Sequence, residues 1–349
     1  MFTGYGGAEW SLKQAGIPFE IVGYSEIDKN AIKCYNQNFH GIKNFGDCSK
    51  IDVNDLPDFD LLTGGFPCQD VSIAGKRDLS VGRTMLVNHI FRIAKVKKPK
   101  YMLLENVKGI LSTPLHKSII HTLEKLGYGV IVHVLNTKDY SIPQNRERVF
   151  YICKFGGWKF MEFLPPKKTG CPPLRTILEE NVDEKYYLSE KLIKNLIKYN
   201  KRQEENGRGL VGGTGVDVLI ADFQSDKGLS IRKNGVSPTL KASNHGDIYN
   251  CPLLIPCLTP DRIEKRQNRR RFKENNDSMF TLNTQDRHGI LLKDMKIRRL
   301  TPTECFRLQG FLNDEINLEG LSDSTKYKLA GNGWSINVVS LIFKKMFKK

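Results

Sequence analysis

The chain has 349 residues, of which 40% are hydrophobic and 26% charged, with 54 Lys+Arg against 38 Asp+Glu for a net charge of +16. No apolar run approaches the roughly 20 residues of a membrane-spanning helix, and nothing at the start reads as a signal peptide, so a membrane or secreted protein is not expected. The length suits one large core, or a large domain with a smaller one, and the positive surplus points to a polyanionic partner, nucleic acid ahead of an acidic membrane surface.

The expected compartment is the cytoplasm, where the eight cysteines would be reduced. None forms a Cys-x-x-Cys pair, and Cys251 and Cys257 stand too far from further ligands to suggest zinc, so no metal is expected.

Residues 1 to about 160 alternate short apolar runs with helical patterns. Strands are predicted at Ile21–Tyr24, Leu61–Leu62, Tyr101–Leu104, Val130–Leu135 and Val149–Cys153, and helices at Ala8–Ala15, Asn30–Asn38, Leu86–Lys95 and Leu115–Leu126. Such alternation predicts an α/β domain with a mostly parallel sheet covered on both faces, and a ligand site at the carboxyl ends of its strands. Four prolines and a glycine between 165 and 173 break the pattern. Beyond them, residues 174–295 are more polar, with short β-like runs such as Gly209–Ala221. The stretch Arg262–Lys273 carries seven Lys/Arg and one Glu. Ser237–Ile248 and Met279–Ile290 share a Thr-Leu followed at equal distance by Ile, which suggests two related hairpins. A helical pattern returns at Thr301–Leu308, and the chain closes with a Gly-rich turn and an apolar helix, Ile336–Phe347.

Several loops carry residues suited to chemistry. Gly4, Gly6 and Gly7 lead into the first helix, where glycines let the backbone approach a nucleotide-like ligand. Glu26 follows the predicted strand Ile21–Tyr24, suitably placed for ribose hydroxyls, and Asp47 and Cys48 stand at a further strand end; each acid suits a helix N-cap or a solvated charge equally well. Gly64-Gly65-Phe66-Pro67-Cys68-Gln69 places Cys68 at the ligand edge, with Pro67 stiffening its approach. Glu105 ends another strand, and Arg146 and Arg148 precede the strand Val149–Cys153. A cysteine, a carboxyl and an arginine on one sheet edge suit covalent catalysis.

The stretches FTGYGG (2–7), YSEIDK (24–29), GDCS (46–49), GGFPCQDVSIAGK (64–76), LLENVKG (103–109), QNRERVF (144–150), RRLTPTECFRLQGF (298–311) and AGNGWSINV (330–338) follow one another across nearly the whole chain. Their order and spacing resemble the DNA (cytosine-5)-methyltransferase family of bacterial and phage modification systems. The resemblance implies a Rossmann-like S-adenosylmethionine-dependent methyltransferase sheet with a smaller, mostly β target-recognition domain. It also implies division into a catalytic domain at 1–170, a recognition domain at 171–319 and a C-terminal return at 320–349. By the same resemblance, Phe2, Gly4, Gly6 and Gly7 would cradle S-adenosylmethionine, with Cys48 and Pro67 beside it. Glu26 would bind the ribose, Ile27 pack on the adenine and Asp47 accept from its amino group, while Asn332 and Gly333 close the pocket. Cys68 would be the nucleophile, Glu105 the carboxyl facing the base, and Arg148, with Arg146 behind it, a ligand of the base.

The family varies between about 172 and 295 to choose its target. There Arg271, Asn283, Gln285 and Arg287 are expected to read base edges and Thr281 to hold a phosphate, with backbone positioning by the Arg-rich stretch as the competing reading. The implied partner is double-stranded DNA, with a cognate restriction endonuclease acting separately, no membrane, and a monomeric enzyme. The related tRNA-modifying subfamily is the alternative within enzymes, but its Cys-Phe-Thr signature is absent from the sequence. A catalytically silent DNA-binding relative is the alternative outside them, opposed by the presence of Cys68, Glu105 and Arg148. One departure stands out. Relatives carry an extended first strand before the glycine turn, whereas only Met1 precedes Phe2 here, so the first strand is expected to be cut short.

Overall fold

The computed structural model describes residues 1–67, 86–158, 170–193, 254–260, 272–273, 277–284, 287–292 and 296–347. Four strands form the main sheet: β1 (Leu61–Gly64), β2 (Tyr101–Val107), β3 (Tyr128–Asn136) and β4 (Glu147–Phe155). Their order is β1-β2-β4-β3. β1 pairs with β2 in parallel, from Leu61 opposite Tyr101 to Gly64 opposite Leu104. β4 inserts antiparallel between β2 and β3. The expectation of a mostly parallel sheet is thereby corrected. β1, β2 and β3 share one direction, but β3 and β4 are joined by the short connection 137–146, and so tight a return makes them antiparallel neighbours.

Alternation along the strands explains the apolar runs. Leu103, Phe150 and Ile152 face a cluster with Leu12, Trp334, Val338, Val339, Ile342 and Phe343. Met102, Leu104, Val149, Tyr151 and Cys153 face the opposite side, against Val87, Ile90, Phe91, Ile119 and Leu123. Helices α1 (Gly7–Ala15) and α7 (Ile336–Phe347) therefore cover one face, and α3 (Val87–Lys97) and α4 (Pro114–Lys125) the other. A strand buried on both faces needs apolar residues at successive positions. α2 (Lys29–Asn38) completes the first half, capped by Asp28, whose carboxylate accepts from the backbone N–H groups of Asn30 and Ala31.

The predicted strand Ile21–Tyr24 is not formed; its only ladder contact is an isolated bridge from Tyr24 to Asn44. Between this segment and β1 lies a cavity of about 540 Å³ lined by Leu12, Phe19, Val22, Phe45, Phe59 and Leu61 among others. Met1 and Thr3 are also in its lining. The Met1 ammonium donates to the Thr63 carbonyl at 2.7 Å, and the Phe2 N–H donates to Ser25 at 2.9 Å, so two successive residues bond to opposite sides as a central strand would. Below that point neither edge has a strand to pair with among the described residues, and extended residues alone do not make a ladder.

The second sheet is antiparallel, β5 (Leu254–Leu258), β6 (His288–Leu292) and β7 (Ile297–Arg299). The second of the two similar hairpin sequences contributes β6; the first, and Gly209–Ala221, lie outside the described residues. α5 (Pro302–Arg307) starts with a capping box in which Thr301 and Glu304 each bond the other's backbone N–H. α6 (Asp323–Asn332) takes in most of the expected Gly-rich turn: Ala330, Gly331 and Asn332 are helical, and the turn proper begins at Gly333. One core cluster joins Tyr5, Trp10 and Cys34 of the first half to Met279, Leu282, Leu300, Phe306 and Phe311.

Candidate active site

The turn before α1 is held in left-handed backbone at three alternate positions, Phe2 (φ 55°), Gly4 (φ 59°) and Gly6 (φ 89°). Only glycine adopts that region without penalty, which accounts for Gly4 and Gly6. Glu26 braces the turn. One of its carboxylate oxygens accepts from the Gly4 N–H at 3.0 Å, the other from Ile27 and Asp28 at 2.8 and 2.9 Å. Beside it the Ile27 side chain stands 70% exposed, an apolar surface with nothing covering it among the described residues. Asp47 accepts from the backbone N–H and the hydroxyl of Ser49, and those bonds hold its carboxyl below the usual range. Cys48 is buried, and desolvation pushes its thiol up. Glu26, one of the acids with two open readings, is not a helix cap; Asp28, two residues on, caps α2 instead.

The C-terminal segment closes over this turn. Gly333 packs so tightly that a Cβ would lie 1.8 Å from the Tyr5 ring, so any side chain there must displace that ring. The Tyr5 hydroxyl donates to the Trp334 carbonyl. The Trp334 indole covers Gly65, where a Cβ would meet its Nε1 at 2.6 Å. Phe2, Gly4, Tyr5, Glu9, Gly65, Asn332, Gly333 and Trp334 thus line a small cavity of about 40 Å³. Glu9 was not picked out by sequence. Its Oε1 accepts from the Tyr35 hydroxyl at 2.9 Å, whereas Oε2 is buried with no hydrogen-bond partner, and desolvation pushes this carboxyl up. The only sequence signal was a charge in the first turn of a helix whose next three residues are buried.

The chemical edge lies where β1, β2 and β4 end. Glu105 is buried at the end of β2, and Arg148, at the start of antiparallel β4, points its Nε to within 3.0 Å of Glu105 Oε1. Burial raises the Glu105 pKa, opposed by the Arg148 and Arg146 charges. The ion pair and the upward shift pull in opposite directions; desolvation is the larger effect, so Glu105 holds a proton to higher pH than an ordinary carboxyl. Phe66 and Pro67 lead from β1 to this edge, and Cys68 lies outside the described residues. The side chain of Asn106 is 2% exposed and donates to the Phe66 carbonyl at 3.2 Å, tying the turn before Cys68 to the strand that carries Glu105. Asn106 too was overlooked by sequence, although it stands inside the quoted Glu-Asn-Val.

Arg146 and Arg148 diverge. The Arg146 guanidinium is 2% exposed and donates to the carbonyls of Leu282 (3.0 Å), Gly331 (3.3 and 3.4 Å) and Gly333 (2.7 Å). Of the expected recognition residues, Arg271 and Gln285 lie outside the described residues. Thr281 donates its hydroxyl to the Asn145 carbonyl, Asn283 is half-buried against Gly331, and Arg287 is exposed. Among the described residues no group of three or more His, Cys, Asp or Glu could hold a metal, and no helix is long and apolar enough to cross a membrane.

Known proteins place this arrangement. The chain is 35% identical over 423 aligned residues to the orphan methyltransferase M.SPRI of Bacillus phage SPR, covering 99% of this chain and 96% of that protein. It is 32% identical to the type II methyltransferase M1.ScrFI of Lactococcus lactis subsp. cremoris, covering 100% of this chain and 77% of that one. The fold is similar to that of a methyltransferase from Entamoeba histolytica, with a TM-score of 0.64 and 19% identity over 99% and 96% of the two chains. It is also similar to a putative DNA modification methyltransferase encoded within an E. coli prophage, with a TM-score of 0.57 and 18% identity over 99% and 97%. The sequence profile of C-5 cytosine-specific DNA methylases matches residues 1–348, and the chain belongs to that family, the DNA cytosine-5 methyltransferases.

Proposed function

We propose that this enzyme methylates C5 of a flipped-out cytosine in a specific duplex sequence, taking the methyl group from S-adenosylmethionine and passing through a covalent bond between Cys68 Sγ and C6. The observation that carries the reading is the buried Glu105 carboxyl, raised in pKa and 3.0 Å from Arg148, at the strand end that Asn106 ties to the turn before Cys68. Neutral cytosine C5 is a poor nucleophile. Attack of the Cys68 thiolate on C6 forms the S–C bond and pushes the C5–C6 π electrons towards C5. Charge drawn onto N3 is met by the Glu105 proton, and charge on O2 by Arg148. The electron-rich C5 would then take the methyl group as the bond from the methyl carbon to the donor sulfur breaks and S-adenosylhomocysteine leaves. Loss of the C5 proton to water then re-forms the C5–C6 double bond and expels Cys68 as thiolate. C6 is shielded in a stacked duplex, so the base must leave the helix at a cost of about a few kcal/mol.

The residues present suit the methyl donor. S-adenosylmethionine supplies an electrophilic methyl on a sulfonium when bound. The left-handed glycine turn would follow its backbone-like end, and the unpartnered Glu9 Oε2 offers an acceptor for its ammonium. The cavity of about 40 Å³ is smaller than the donor, so the adenosine would lie over the open face of Glu26, Ile27 and Asp47. Asn332 and Gly333 would close over it, with Cys48 and Pro67 at its flank. Base readout is assigned to Arg271, Asn283, Gln285 and Arg287, and a phosphate contact to Thr281. The division at 170 and 319, monomeric action and a separate endonuclease belong to the same reading, as do the restriction–modification or orphan roles carried by the names of the relatives.

Bisulfite sequencing of plasmid from an expressing host tests activity and target together. Protected cytosines in one sequence context are expected, and full conversion with soluble protein present overturns the proposal. With 5-fluorocytosine duplex of that sequence plus donor, the wild type is expected to form a denaturation-resistant adduct that Cys68→Ser does not. An active enzyme without that adduct rules out the covalent route.

A further inference from the structure

Arg146 sits at the meeting point of two segments that serve different ligands. On one side is the strip 279–283, which adjoins the recognition residues. It is zipped to the chain just before β4: the Met279 N–H donates to Pro143 at 2.7 Å, the Asn145 N–H donates to Met279 at 2.8 Å, and Thr281 donates to Asn145. On the other side is the segment 331–334, the end of α6 and the turn after it, of which Asn332, Gly333 and Trp334 line the small cavity beside the glycine turn. The two strips touch directly: a Cβ on Gly331 would lie 2.7 Å from the backbone C and O of Asn283. The buried guanidinium spans the joint, with Nη1 on Leu282 and Gly331 and Nη2 on Gly331 and Gly333.

Fixed fork geometry lets one guanidinium satisfy carbonyls of separate segments at once, which a lysine ammonium on its flexible stem does not reproduce. Any shift of Leu282 on the recognition strip therefore costs hydrogen bonds at Gly331 and Gly333 unless these move with it. We infer that Arg146 is a positioning residue that couples target-DNA binding on the 279–283 strip to closure of the 331–334 segment over the methyl donor, rather than a ligand of the reacting base. Coupling between two sites is a shared free energy and is reciprocal, so DNA tightens the donor by the same factor as the donor tightens DNA. The inference rests on the proposed function for the identity of the two ligands.

The test uses the full chain, S-adenosylhomocysteine as the non-reacting donor analogue, and the duplex identified by bisulfite sequencing. Calorimetry or fluorescence anisotropy gives four dissociation constants: each ligand alone, and each with the other saturating. The wild type is expected to show mutual tightening on the order of tenfold, within the usual range for coupled sites. In Arg146→Lys the ratio is expected to fall towards one, with each ligand alone bound within about threefold of wild type. Gly331→Ala, whose added methyl pushes on the Asn283 backbone while the Arg146 side chain is kept, is expected to lower the ratio as well, and supplies the measurement if Arg146→Lys does not fold. A wild-type ratio of one, or a ratio unchanged in both folded variants, overturns the coupling. Loss of each binary affinity with the ratio preserved also overturns it, because that is the mark of a purely structural residue. Failure of the proposed function itself appears earlier, as plasmid with no protected cytosine.

Discussion

At the scale of single residues, the charge state of Glu105 decides how the site responds to pH. Desolvation raises its pKa, so the protonated form persists above the range of ordinary carboxyls. The rate is expected to rise with pH as the Cys68 thiolate forms and to fall once Glu105 loses its proton, giving a bell-shaped profile. Glu105→Gln should remove the falling limb and lower kcat by about 10²-fold or more, measured in single-turnover methylation across pH. The stability sign follows from the same shift. A raised folded pKa means the stabilisation is present at low pH and lost as pH rises through that value. Asp28 is the opposite case. Its bond to Lys328 at 2.6 Å holds its carboxyl down, so its contribution is present above the ordinary carboxyl value and lost on acidification. Gly333 is limited by space. Gly333→Ala drives a methyl into the Tyr5 ring and should cost about 1–3 kcal/mol of stability, seen as a lowered Tm, together with weaker S-adenosylhomocysteine binding.

At the scale of elements, helix and strand patterns were legible wherever burial on both sides imposed them. Helices predicted at Asn30–Asn38 and Ile336–Phe347 appear at 29–38 and 336–347, and β2, β3 and β4 extend their predicted runs by one to three residues at an end. Ile21–Tyr24 is a similar apolar run but has, beyond the bridge from Tyr24 to Asn44, no paired strand among the described residues, and strand formation depends on a partner that local sequence does not reveal. The link from β7 to α5 rests on Arg298 and Glu304, joined at 2.7 Å with side chains only 3% and 0% exposed. Arg298→Met leaves Glu304 buried and uncompensated, at a cost of about 3–5 kcal/mol readable by urea unfolding.

At the scale of the whole molecule, the net charge of +16 serves a polyanionic substrate. Binding to duplex DNA is expected to weaken steeply with salt, the log–log slope scaling as about −0.9 per phosphate neutralised. Replacing Arg269, Arg270 and Arg271 by Ala should flatten that slope by about one to three units in a salt titration; an unchanged slope would place the phosphate contacts elsewhere. By itself, the sequence determined the family and the order of the motif segments, and it nominated Cys68, Glu105 and Arg148 for the proposed chemistry. Those residues are dictated by the chemistry and recur in local patterns that read without a fold. Only tertiary structure decided that β4 runs antiparallel, that Asn106 tethers the turn before Cys68, that Glu9 keeps an unpartnered oxygen, and that Arg146 and Arg148, two positions apart, serve different tasks. Each depends on which atoms of other segments lie, or fail to lie, within hydrogen-bond reach, and for Arg146 and Gly333 those segments are 187 residues apart.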